Sequence, residues 1–248
     1  MVKISIITAV YNRARTIGDA IDSVLGQVGC EIEHIVVDGL SKDGTEDVVR
    51  GYGNRITKYI REKDSGIYDA LNKGVAAASG DVVGFLHADD VLAGPDVGRS
   101  IAEPFQNSTV DAVCGDLQYV DADNTEKVIR NWKAGPYDRS KFLYGWMPAH
   151  PTFYLRREHY EKFGGYRDDL QIAADYELML RMLFKNHLMA QSIDKVLVRM
   201  RVGGKSNASI ANRLVANRED SRAWELNDLK APMGLRWMKP LRKIGQYF

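Results

Sequence analysis

The sequence predicts an α/β fold, with a mostly parallel central sheet flanked by helices and a helical C-terminal extension. Strand-like and helix-like segments alternate through the first half of the 248-residue chain, which is the pattern of a parallel sheet covered by helices. The nearly continuous apolar run Val82–Leu86 is typical of a strand buried on both faces. Two adjacent acids, Asp89 and Asp90, follow this run, at the end of a strand where the ligands of such sheets gather.

The elements of the first half follow from the spacing of apolar residues. The predicted strands are Ile4–Val10, His34–Val37, Ile56–Ile60, Val82–Leu86 and Ala112–Cys114. Between the first two strands, apolar residues recur at helical spacing from Ile17 to Leu25, and Gly26 ends the pattern. A second helix is predicted over Tyr68–Ala78. The connections between parallel strands are expected to be right-handed.

The character of the sequence changes near Gly115. The stretch that follows has weaker periodicity and a cluster of aromatic residues, Trp132, Tyr137, Phe142, Tyr144, Trp146, Phe153 and Tyr154. We interpret it as a second lobe that shapes a pocket. A helix is predicted beyond it, and its inward-facing residues are Tyr176, Met179, Leu180 and Leu183. A polar helical region ends the chain, so the predicted divisions are 1–115, 116–207 and 208–248.

Composition excludes several classes of protein. A hydrophobic content of 45% suffices for one compact core, and a formal net charge of +1 argues against nucleic acid as a partner. Cys30 and Cys114 are too few and too far apart for a disulfide framework or a zinc site, so a reducing cytoplasm is expected. The first ten residues lack the features of a signal peptide, and no stretch approaches the roughly 20 apolar residues of a membrane span.

Three strand ends are expected to converge on one edge of the sheet, at Thr8–Arg13, Val37–Gly39 and Asp89–Asp90. Asp38 is suited to accept a hydrogen bond from a base amide or a ribose hydroxyl, and backbone groups after the first strand would frame the same nucleoside. The alternative is an ordinary turn followed by a helix cap. That alternative is preferred for the Asp38 segment alone, whereas the three ends together favour a nucleotide site.

Asp89 and Asp90 are the predicted metal-binding pair, and either acid is a candidate for the direct ligand. Paired acids at the end of so apolar a segment require a cation to neutralise them, and hard oxygen ligands suit Mg²⁺ or Mn²⁺ carrying a phosphate. The working hypothesis is a nucleotide held through a divalent metal at this edge of the sheet.

The segment Arg61–Gly74 holds a second set of polar residues. Asp64 or Ser65 can cap the predicted helix, and Lys73 follows Asp69 by one helical turn, so a surface ion pair is the structural alternative. The functional hypothesis is that this loop and the N-terminus of the helix approach the diphosphate or the base.

Four segments together resemble family 2 glycosyltransferases, especially the bacterial enzymes that build exopolysaccharide, O-antigen or glycolipid saccharides. The segments are Ser5–Asn12, Val36–Thr45, Asp64–Gly74 and Leu86–Asp90. Each motif alone is weak, but their order and spacing are specific. The resemblance covers about the first 115 residues and, through later motifs, reaches Asn207. It implies the GT-A fold, a nucleotide-diphospho-sugar donor, a divalent metal and inversion at the anomeric carbon.

The resemblance assigns donor binding to 1–115, acceptor binding and the catalytic base to 116–207, and a basic helical extension to 208–248. The residues expected to bind the donor are Thr8, Ala9, Val10, Tyr11, Asn12, Asp38, Asp64, Gly66, Lys73 and Asp89. Many relatives carry an acid at the position of His87, so this chain departs from the residue type that makes the family's ribose contact there. His87 is interpreted as a packed, hydrogen-bonded residue or as a donor to a metal ligand, and Asp89 and Asp90 keep the metal-facing pair.

The segment Ala173–Arg181 resembles the acidic motif that the family places at the start of a helix beneath the acceptor, and Asp175 is therefore the candidate base. Inverting transfer needs one group that removes the proton of the acceptor hydroxyl, and a carboxylate can do so. The alternative is a first-turn acid favoured by the helix dipole. Glu177 is expected to orient a neighbour or to pair with Arg181 four residues later.

Two further segments resemble the acceptor side of the family. His150–Tyr154 is similar to a wall between donor and acceptor, and Gly203–Asn207 is similar to the mobile segment after the last core strand, with Lys205 toward the diphosphate. A flexible turn is the alternative for the second segment. The residues assigned to the acceptor or a lid are His150, Tyr176, Glu177 and Lys205.

The last nineteen residues, from Lys230, contain five basic residues and no acid, interleaved with apolar ones. This composition suits a helix on an anionic membrane surface. Pro240 interrupts any long helix, and a solvated basic tail is an equally good alternative. Membrane contact would suit a polyprenyl-linked acceptor, with the protein cytoplasmic or peripheral on the inner face of the cytoplasmic membrane.

The predicted function is metal-dependent, inverting transfer of a sugar from a nucleotide sugar to a saccharide or lipid-linked saccharide. UDP is the favoured nucleotide, with GDP and dTDP as alternatives, and the cofactor is Mn²⁺ or Mg²⁺. A sugar-phosphate nucleotidyltransferase is one rival, but Thr8–Arg13 lacks the Gly-rich phosphate loop of that class. A non-catalytic nucleotide-sugar sensor is the other, and the acid at Asp175 argues against it.

Overall fold

The computed structural model describes residues 2–203, 210–232 and 234. Its strands are β1 Lys3–Val10, β2 Glu31–Asp38, β3 Lys58–Arg61, β4 Val82–Phe85, β5 Val91–Leu92, β6 Ala112–Val120, β7 Val128–Trp132, β8 Tyr154–Arg156 and β9 Ala190–Arg201. Its α-helices are α1 Ile17–Leu25, α2 Thr45–Gly51, α3 Ile67–Ala77, α4 Val97–Ala102, α5 Arg157–Phe163, α6 Ala174–Met179 and α7 Ile210–Glu225. All five predicted strands and both predicted helices of the first half overlap elements of the structure.

The strands of the described chain form one sheet in the order β3-β2-β1-β4-β8-β6-β9-β5, with β7 paired to β6. The first four strands in this order are parallel, as predicted. β8 lies antiparallel between β4 and β6, whereas β6 and β9 are parallel. The sheet is therefore mixed: it is parallel through its first four strands and again between β6 and β9. β8 has only three residues, too few for a periodic pattern to reveal it.

β6 runs beyond its predicted end at Cys114. The register of β6 against β9 shifts on both sides of Asp116, which is the signature of a bulge that leaves the strand continuous. Asp116 is buried there, and its carboxylate accepts hydrogen bonds from Lys133 Nζ at 2.6 Å and from the backbone N–H of Ala134 at 2.8 Å. The segment that follows β7 thus provides the hydrogen-bond donors that this buried carboxylate needs.

Apolar layers cover both faces of the sheet. Ile7 and Phe85 belong to one layer with residues of α3, and Ile4 and Ile6 belong to the other with residues of α1 and α4. Because both faces are buried, the strands read as nearly continuous apolar runs. Gly74 allows α3 to approach β1 closely, since a Cβ at that position would overlap the side chain of Ile7.

The parallel register brings the ends of β1, β2 and β4 to one edge, called the carboxyl edge below. Val10 is opposite Asp38 in the register of β1 and β2, and the backbone N–H of Gly39 donates to Val10 O at 3.0 Å. Because β8 runs antiparallel to β4, the segment that precedes β8 also reaches this edge. That segment contains His150.

The inward-facing residues predicted for the acidic-motif helix, Tyr176, Met179, Leu180 and Leu183, are all buried. The α-helical part ends at Met179, and the chain continues as a π-helix over Leu180–Lys185. Within the described residues, the structure contains no helix with the length and apolar character needed to cross a membrane.

Candidate functional site

The loops that follow β1 and β2 are joined by hydrogen bonds at the carboxyl edge. The backbone N–H of Asn12 donates to Ser41 Oγ at 2.9 Å, and Asn12 Oδ1 accepts from the backbone N–H of Lys42 at 2.9 Å. Asn12 has a φ of 52°, a left-handed conformation that asparagine tolerates. The side chain of Tyr11 is 57% exposed at the rim. This pair of loops forms a rigid corner beside the sheet.

Two of the predicted donor residues of β1 have side chains inside the fold. Thr8 is fully buried and its Oγ1 lies 3.0 Å from Nε2 of His34, while Val10 is buried in an apolar cluster. Ala9, between them, is only partly buried. The structure therefore brings Ala9, Tyr11 and Asn12 to the edge and turns the side chains of Thr8 and Val10 away from it.

Asp38 stabilises the turn that follows β2, which is part of the structural alternative given for this segment. Its buried carboxylate accepts from the backbone N–H of Ser41 at 2.8 Å and from the Tyr59 hydroxyl at 2.8 Å, and Arg61 Nε lies 3.7 Å away. Burial, followed by the hydrogen bond to Asp38, raises the pKa of Tyr59. One carboxylate oxygen thus holds the loop after β2 and the other holds Tyr59 of β3. The contact of Asp38 with a base or ribose stays a prediction.

The loop Arg61–Gly66 lies against the end of β2. The carboxylate of Asp64 fills the space that a side chain at Gly39 would need, and its Oδ1 accepts from the backbone N–H of Gly66 at 3.1 Å. This contact brings Asp64 and Gly66, two predicted donor residues, to the carboxyl edge. A side chain at position 39 would require the carboxylate of Asp64 to move.

Lys73 is engaged by this loop. Its Nζ donates to Lys63 O at 2.6 Å and lies 3.0 Å from Glu62 Oε1 and 3.5 Å from Asp69 Oδ2. The hydrogen bond to Glu62 raises the pKa of Lys73. The ion pair given as the structural alternative is thus present, and Lys73 closes the loop. Its contact with a diphosphate stays a prediction.

The two acids predicted to bind metal are divided by the fold. Asp90 is 1% exposed, its Oδ1 accepts from the backbone N–H of Arg201 at 3.1 Å, and burial, together with the nearby Asp89, raises its pKa well above the usual range. The side chain of Asp89 is 35% exposed, with Oδ2 3.7 Å from Nε of Arg13. Of the two acids, Asp89 therefore faces the open edge and Asp90 is turned into the fold, an arrangement that favours Asp89 as the direct ligand.

A divalent cation fits this edge through Asp89. Mg²⁺ in nucleotide sites is commonly bound through one or two carboxylates together with substrate phosphates. Within the described residues, no group of three His, Cys, Asp or Glu side chains is arranged to hold a metal. The protein side of such a site would thus be the single partly exposed carboxylate of Asp89, with phosphate oxygens completing the shell.

Asp175, His150 and His87 form a continuous chain of polar contacts across the carboxyl edge. Asp175 Oδ2 lies 3.2 Å from His150 Nδ1, and His150 Nε2 lies 2.8 Å from His87 Nε2. Burial lowers the pKa of each imidazole to about 4. The motifs indicated each residue separately, whereas their contact joins segments far apart in sequence and has no local signal.

Helix α7 supports the acidic motif, and sequence reasoning did not find this role. The carboxylate of Glu219 accepts from the backbone N–H groups of three successive residues, Gln171, Ile172 and Ala173, at 2.8, 2.8 and 2.9 Å. Trp224 Nε1 donates to the Tyr176 hydroxyl at 2.9 Å, and Asn227 Nδ2 donates to Glu177 Oε1 at 2.9 Å. α7 is thus bonded to the segment that carries Asp175.

Tyr176 and Glu177 support this segment and do not line an acceptor site, because each is only 1% exposed. Glu177 forms a two-pronged ion pair with Arg181, both distances being 2.9 Å, as their spacing of four residues predicts. The assignment of both residues to the acceptor or lid is therefore corrected. Lys205 and nearly all of the basic C-terminal segment lie outside the described residues.

Comparison with known proteins identifies the family. The profile described as "Glycosyl transferase family 2" matches residues 5–167. An uncharacterised glycosyltransferase of Mycobacterium tuberculosis (strain CDC 1551 / Oshkosh) is 33% identical over 180 residues, which are 72% of this chain and 68% of the relative. A PGL/p-HBAD biosynthesis glycosyltransferase of Mycobacterium bovis (strain BCG / Pasteur 1173P2) is 28% identical over 215 residues, 83% of this chain and 80% of the relative.

Solved structures share the fold. S. aureus TarS has a TM-score of 0.70 at 18% identity, covering 92% of this chain, which spans 41% of TarS. TarS 1–349 in complex with UDP-GlcNAc has a TM-score of 0.69 at 19% identity, and the match covers 92% of this chain and 68% of that one. Glucosyl-3-phosphoglycerate synthase from Mycobacterium tuberculosis, in complex with Mn²⁺, UDP and phosphoglyceric acid, has a TM-score of 0.62 at 20% identity. The match covers 90% of this chain and 78% of the synthase. These neighbours have the GT-A fold, and the chain, which shares it as predicted, belongs to glycosyl transferase family 2.

Proposed function

We propose that the protein is an inverting glycosyltransferase that moves a hexose from a nucleoside-diphosphate sugar to a hydroxyl of a saccharide or lipid-linked saccharide. UDP is the favoured nucleotide, and the complexes of the structural neighbours with UDP-GlcNAc and with UDP support this choice. The observation that carries the proposal is the pairing of Asp175 with His150 at the carboxyl edge, in a chain that also includes His87 beside Asp89. A candidate base and a candidate donor-side acid thus lie at one edge of the sheet.

The proposed reaction is a single displacement. The acceptor hydroxyl gives its proton to the carboxylate of Asp175 while the acceptor oxygen attacks the anomeric carbon of the donor sugar. The bond between that carbon and the diphosphate oxygen breaks, and the nucleoside diphosphate leaves with the electron pair. Attack on the face opposite the leaving group inverts the anomeric carbon.

Asp89 is the residue that we expect to hold the divalent metal, Mg²⁺ or Mn²⁺. When bound, such an ion supplies positive charge against the developing charge of the leaving diphosphate. Arg13, with Nε 3.7 Å from Asp89, adds a cationic side chain on the same side of the site. Asp90 would act indirectly, because its hydrogen bond to the backbone of Arg201 fixes the turn that carries Asp89.

The acceptor and the location of the protein belong to the same proposal. The name of one relative refers to PGL/p-HBAD biosynthesis, which supports a biosynthetic role. We propose a saccharide or polyprenyl-linked acceptor in cell-surface polysaccharide or glycolipid synthesis, and a protein at the cytoplasmic side that contacts an anionic membrane surface through its basic C-terminal segment.

A thermal-shift panel with UDP, GDP, dTDP and their sugars, with and without Mn²⁺, tests donor binding, because ligand binding raises the melting temperature. We expect UDP and UDP-sugars to stabilise the protein most, and Asp89→Asn to remove the part of the shift that depends on Mn²⁺. Asp175→Asn should keep the full shift but lose donor turnover by about 100-fold or more, because general-base catalysis contributes factors of this size.

The exposed Asp168 provides a matched control in the loop that precedes α6. Asp168→Asn should leave both binding and turnover unchanged. Full turnover in Asp175→Asn would refute the base assignment, and donor binding without transfer or hydrolysis in the wild-type protein would favour a nucleotide-sugar sensor instead.

A further inference from the structure

We infer that His150 is a positioning residue for Asp175, and that His87 holds His150 in the tautomer that presents a proton to the carboxylate. This inference rests on the proposed role of Asp175 as the base. It is carried by the order of contacts among the three side chains, in which Asp175 meets one ring nitrogen of His150 and His87 meets the other.

The geometry determines which nitrogens carry protons. An ionised carboxylate can only accept hydrogen bonds, so Nδ1 of His150, 3.2 Å from Asp175 Oδ2, must be the donor. A neutral His150 then has no proton on Nε2, which can only accept. His87 Nε2, 2.8 Å from that atom, is therefore the donor in the second contact. Each histidine has one tautomer that satisfies the whole chain.

The backbone around His150 is fixed. His150 begins a 3-10 turn over His150–Thr152, with Pro151 next in sequence. The buried hydroxyl of Thr152 lies 2.9 Å from Gly115 O in β6 and 2.8 Å from Ala149 O, so this turn is tied to the central sheet. The imidazole is thus presented to Asp175 from a rigid element, as a positioning role requires.

The two oxygens of the Asp175 carboxylate meet different groups. Oδ1 accepts from the backbone N–H of Tyr176 at 2.8 Å, and Oδ2 lies 3.2 Å from Nδ1 of His150. Tyr68 of α3 and Tyr166 of the loop after α5 also influence this region, and burial raises the pKa of both phenols, so they stay neutral. Glu219 acts on Tyr68 from α7, and Asp89 acts on His87 from the turn after β4.

Substitutions of His150 test the inference because asparagine and glutamine place their amide groups at different ring positions. The amide nitrogen of His150→Asn can replace Nδ1, whereas His150→Gln extends its amide toward the position of Nε2 and His150→Ala removes both. We expect His150→Ala and His150→Gln to lower kcat for hydrolysis of UDP-GlcNAc by about 10- to 100-fold at unchanged KM, a usual cost of losing an orienting partner. His150→Asn should recover most of the rate.

The pH dependence of kcat provides a second readout. A hydrogen bond to the ionised carboxylate favours that form, so its loss raises the pKa of Asp175. The acid limb of the kcat profile should therefore move to higher pH in His150→Ala and return toward the wild-type position in His150→Asn. An unchanged acid limb in His150→Ala would contradict the inference.

Nitrogen-15 NMR of the histidine-labelled protein tests the tautomers without any turnover. The expected spectrum shows the proton of His150 on Nδ1 and that of His87 on Nε2, with signals assigned by His150→Asn and His87→Asn. A proton on Nε2 of His150 overturns the inference, whatever the kinetics. If the tautomers are as expected but Asp175→Asn retains full turnover, the proposed function fails and the positioning geometry stands.

His159 offers a matched control for simple loss of stability. It forms another histidine–carboxylate pair, with Nε2 2.8 Å from Asp111 Oδ1, at the opposite edge of the sheet. His159→Ala should lower the melting temperature and leave kcat and its pH profile unchanged. An equal loss of kcat in His159→Ala and His150→Ala would show that destabilisation alone accounts for both.

Discussion

At the scale of single residues, Gly84 shows how closely the two halves of the chain approach each other. It lies in β4, the last of the four parallel strands, and the ring of Tyr154 from β8 occupies the space beside its Cα. Tyr154 is fully buried. The absence of a side chain at Gly84 therefore allows a large aromatic ring to pack flat on the centre of the sheet.

Gly84→Ala should lower the free energy of unfolding by about 2 to 3 kcal/mol, because the added Cβ would overlap the Tyr154 ring in a core that is already filled. Urea denaturation measures this change. The control is Gly51→Ala at the end of α2, where an added Cβ meets nothing within 4 Å and φ is not positive. That substitution should raise the free energy of unfolding by about 0.5 kcal/mol. Equal effects at the two sites would contradict the packing argument.

The sequence predicts which residues carry reactive side chains better than it predicts which groups those side chains contact. The motifs singled out Asp89, His150 and Asp175 because each lies in a short segment with a specific pattern. Asp38 and Lys73 were assigned to the donor by the same reasoning, yet each is engaged by groups of the protein itself. Whether an acid or a lysine is occupied in this way depends on contacts across the fold, which a local pattern does not contain.

At the scale of elements, α7 is held to the acidic motif by polar contacts. Glu219 is largely buried and accepts three backbone N–H groups from Gln171–Ala173, just before α6. Tyr68 of α3 also donates to Ile172 O at 2.7 Å. The loop that leads into Asp175 is therefore fastened by two helices, α7 and α3.

Glu219→Gln should loosen this loop. The amide keeps one acceptor oxygen but turns a donor toward backbone N–H groups, so hydrogen bonds to a charged group are lost at a cost of roughly 2 kcal/mol. Hydrogen exchange at the amides of Gln171, Ile172 and Ala173 should become faster, together with a lower melting temperature. Glu225→Gln, at an exposed position of the same helix, should change neither. Unaltered exchange in Glu219→Gln would show that the loop does not depend on this carboxylate.

The elements that were predicted are those with a periodic signal. β1, β2, β4, α1 and α3 were found because they are long or continuously apolar. β5 has two residues and β8 has three, and β6 continues through a bulge that the sequence does not mark. These short or irregular pieces join the two halves, so the mixed topology of the sheet could not be predicted from local patterns.

At the scale of the whole molecule, buried histidines make stability depend on pH. His34 lies inside the sheet at 1% exposure, with Nε2 beside Thr8 Oγ1, and burial lowers its pKa to about 4 from 6.5. The unfolded chain therefore binds a proton at His34 at a higher pH than the folded protein does. Above pH 6.5 both states of the protein hold His34 neutral, and the free energy of unfolding keeps its full value. It declines as the pH falls from 6.5 toward 4.

Lowering the pH from about 7.5 to about 5 should reduce the free energy of unfolding by on the order of 2 kcal/mol through His34 alone. His87 and His150 act in the same direction, since burial lowers their pKa as well. Urea unfolding at a series of pH values measures the slope. His34→Gln keeps a polar group beside Thr8 but does not titrate, so it should show a smaller slope. The same slope in both proteins would argue against a neutral, buried His34.

The interleaving of strands limits how this protein can be re-engineered. β8 enters between β4 and β6, and β5 from the first half completes the far edge beside β9. A chain divided near residue 115 would expose unpaired strand edges on both pieces, and such edges promote aggregation. In a chimera that takes its N-terminal part from one homologue and its C-terminal part from another, strands of different origin would therefore have to pair. Grafting single loops at the carboxyl edge leaves the sheet intact.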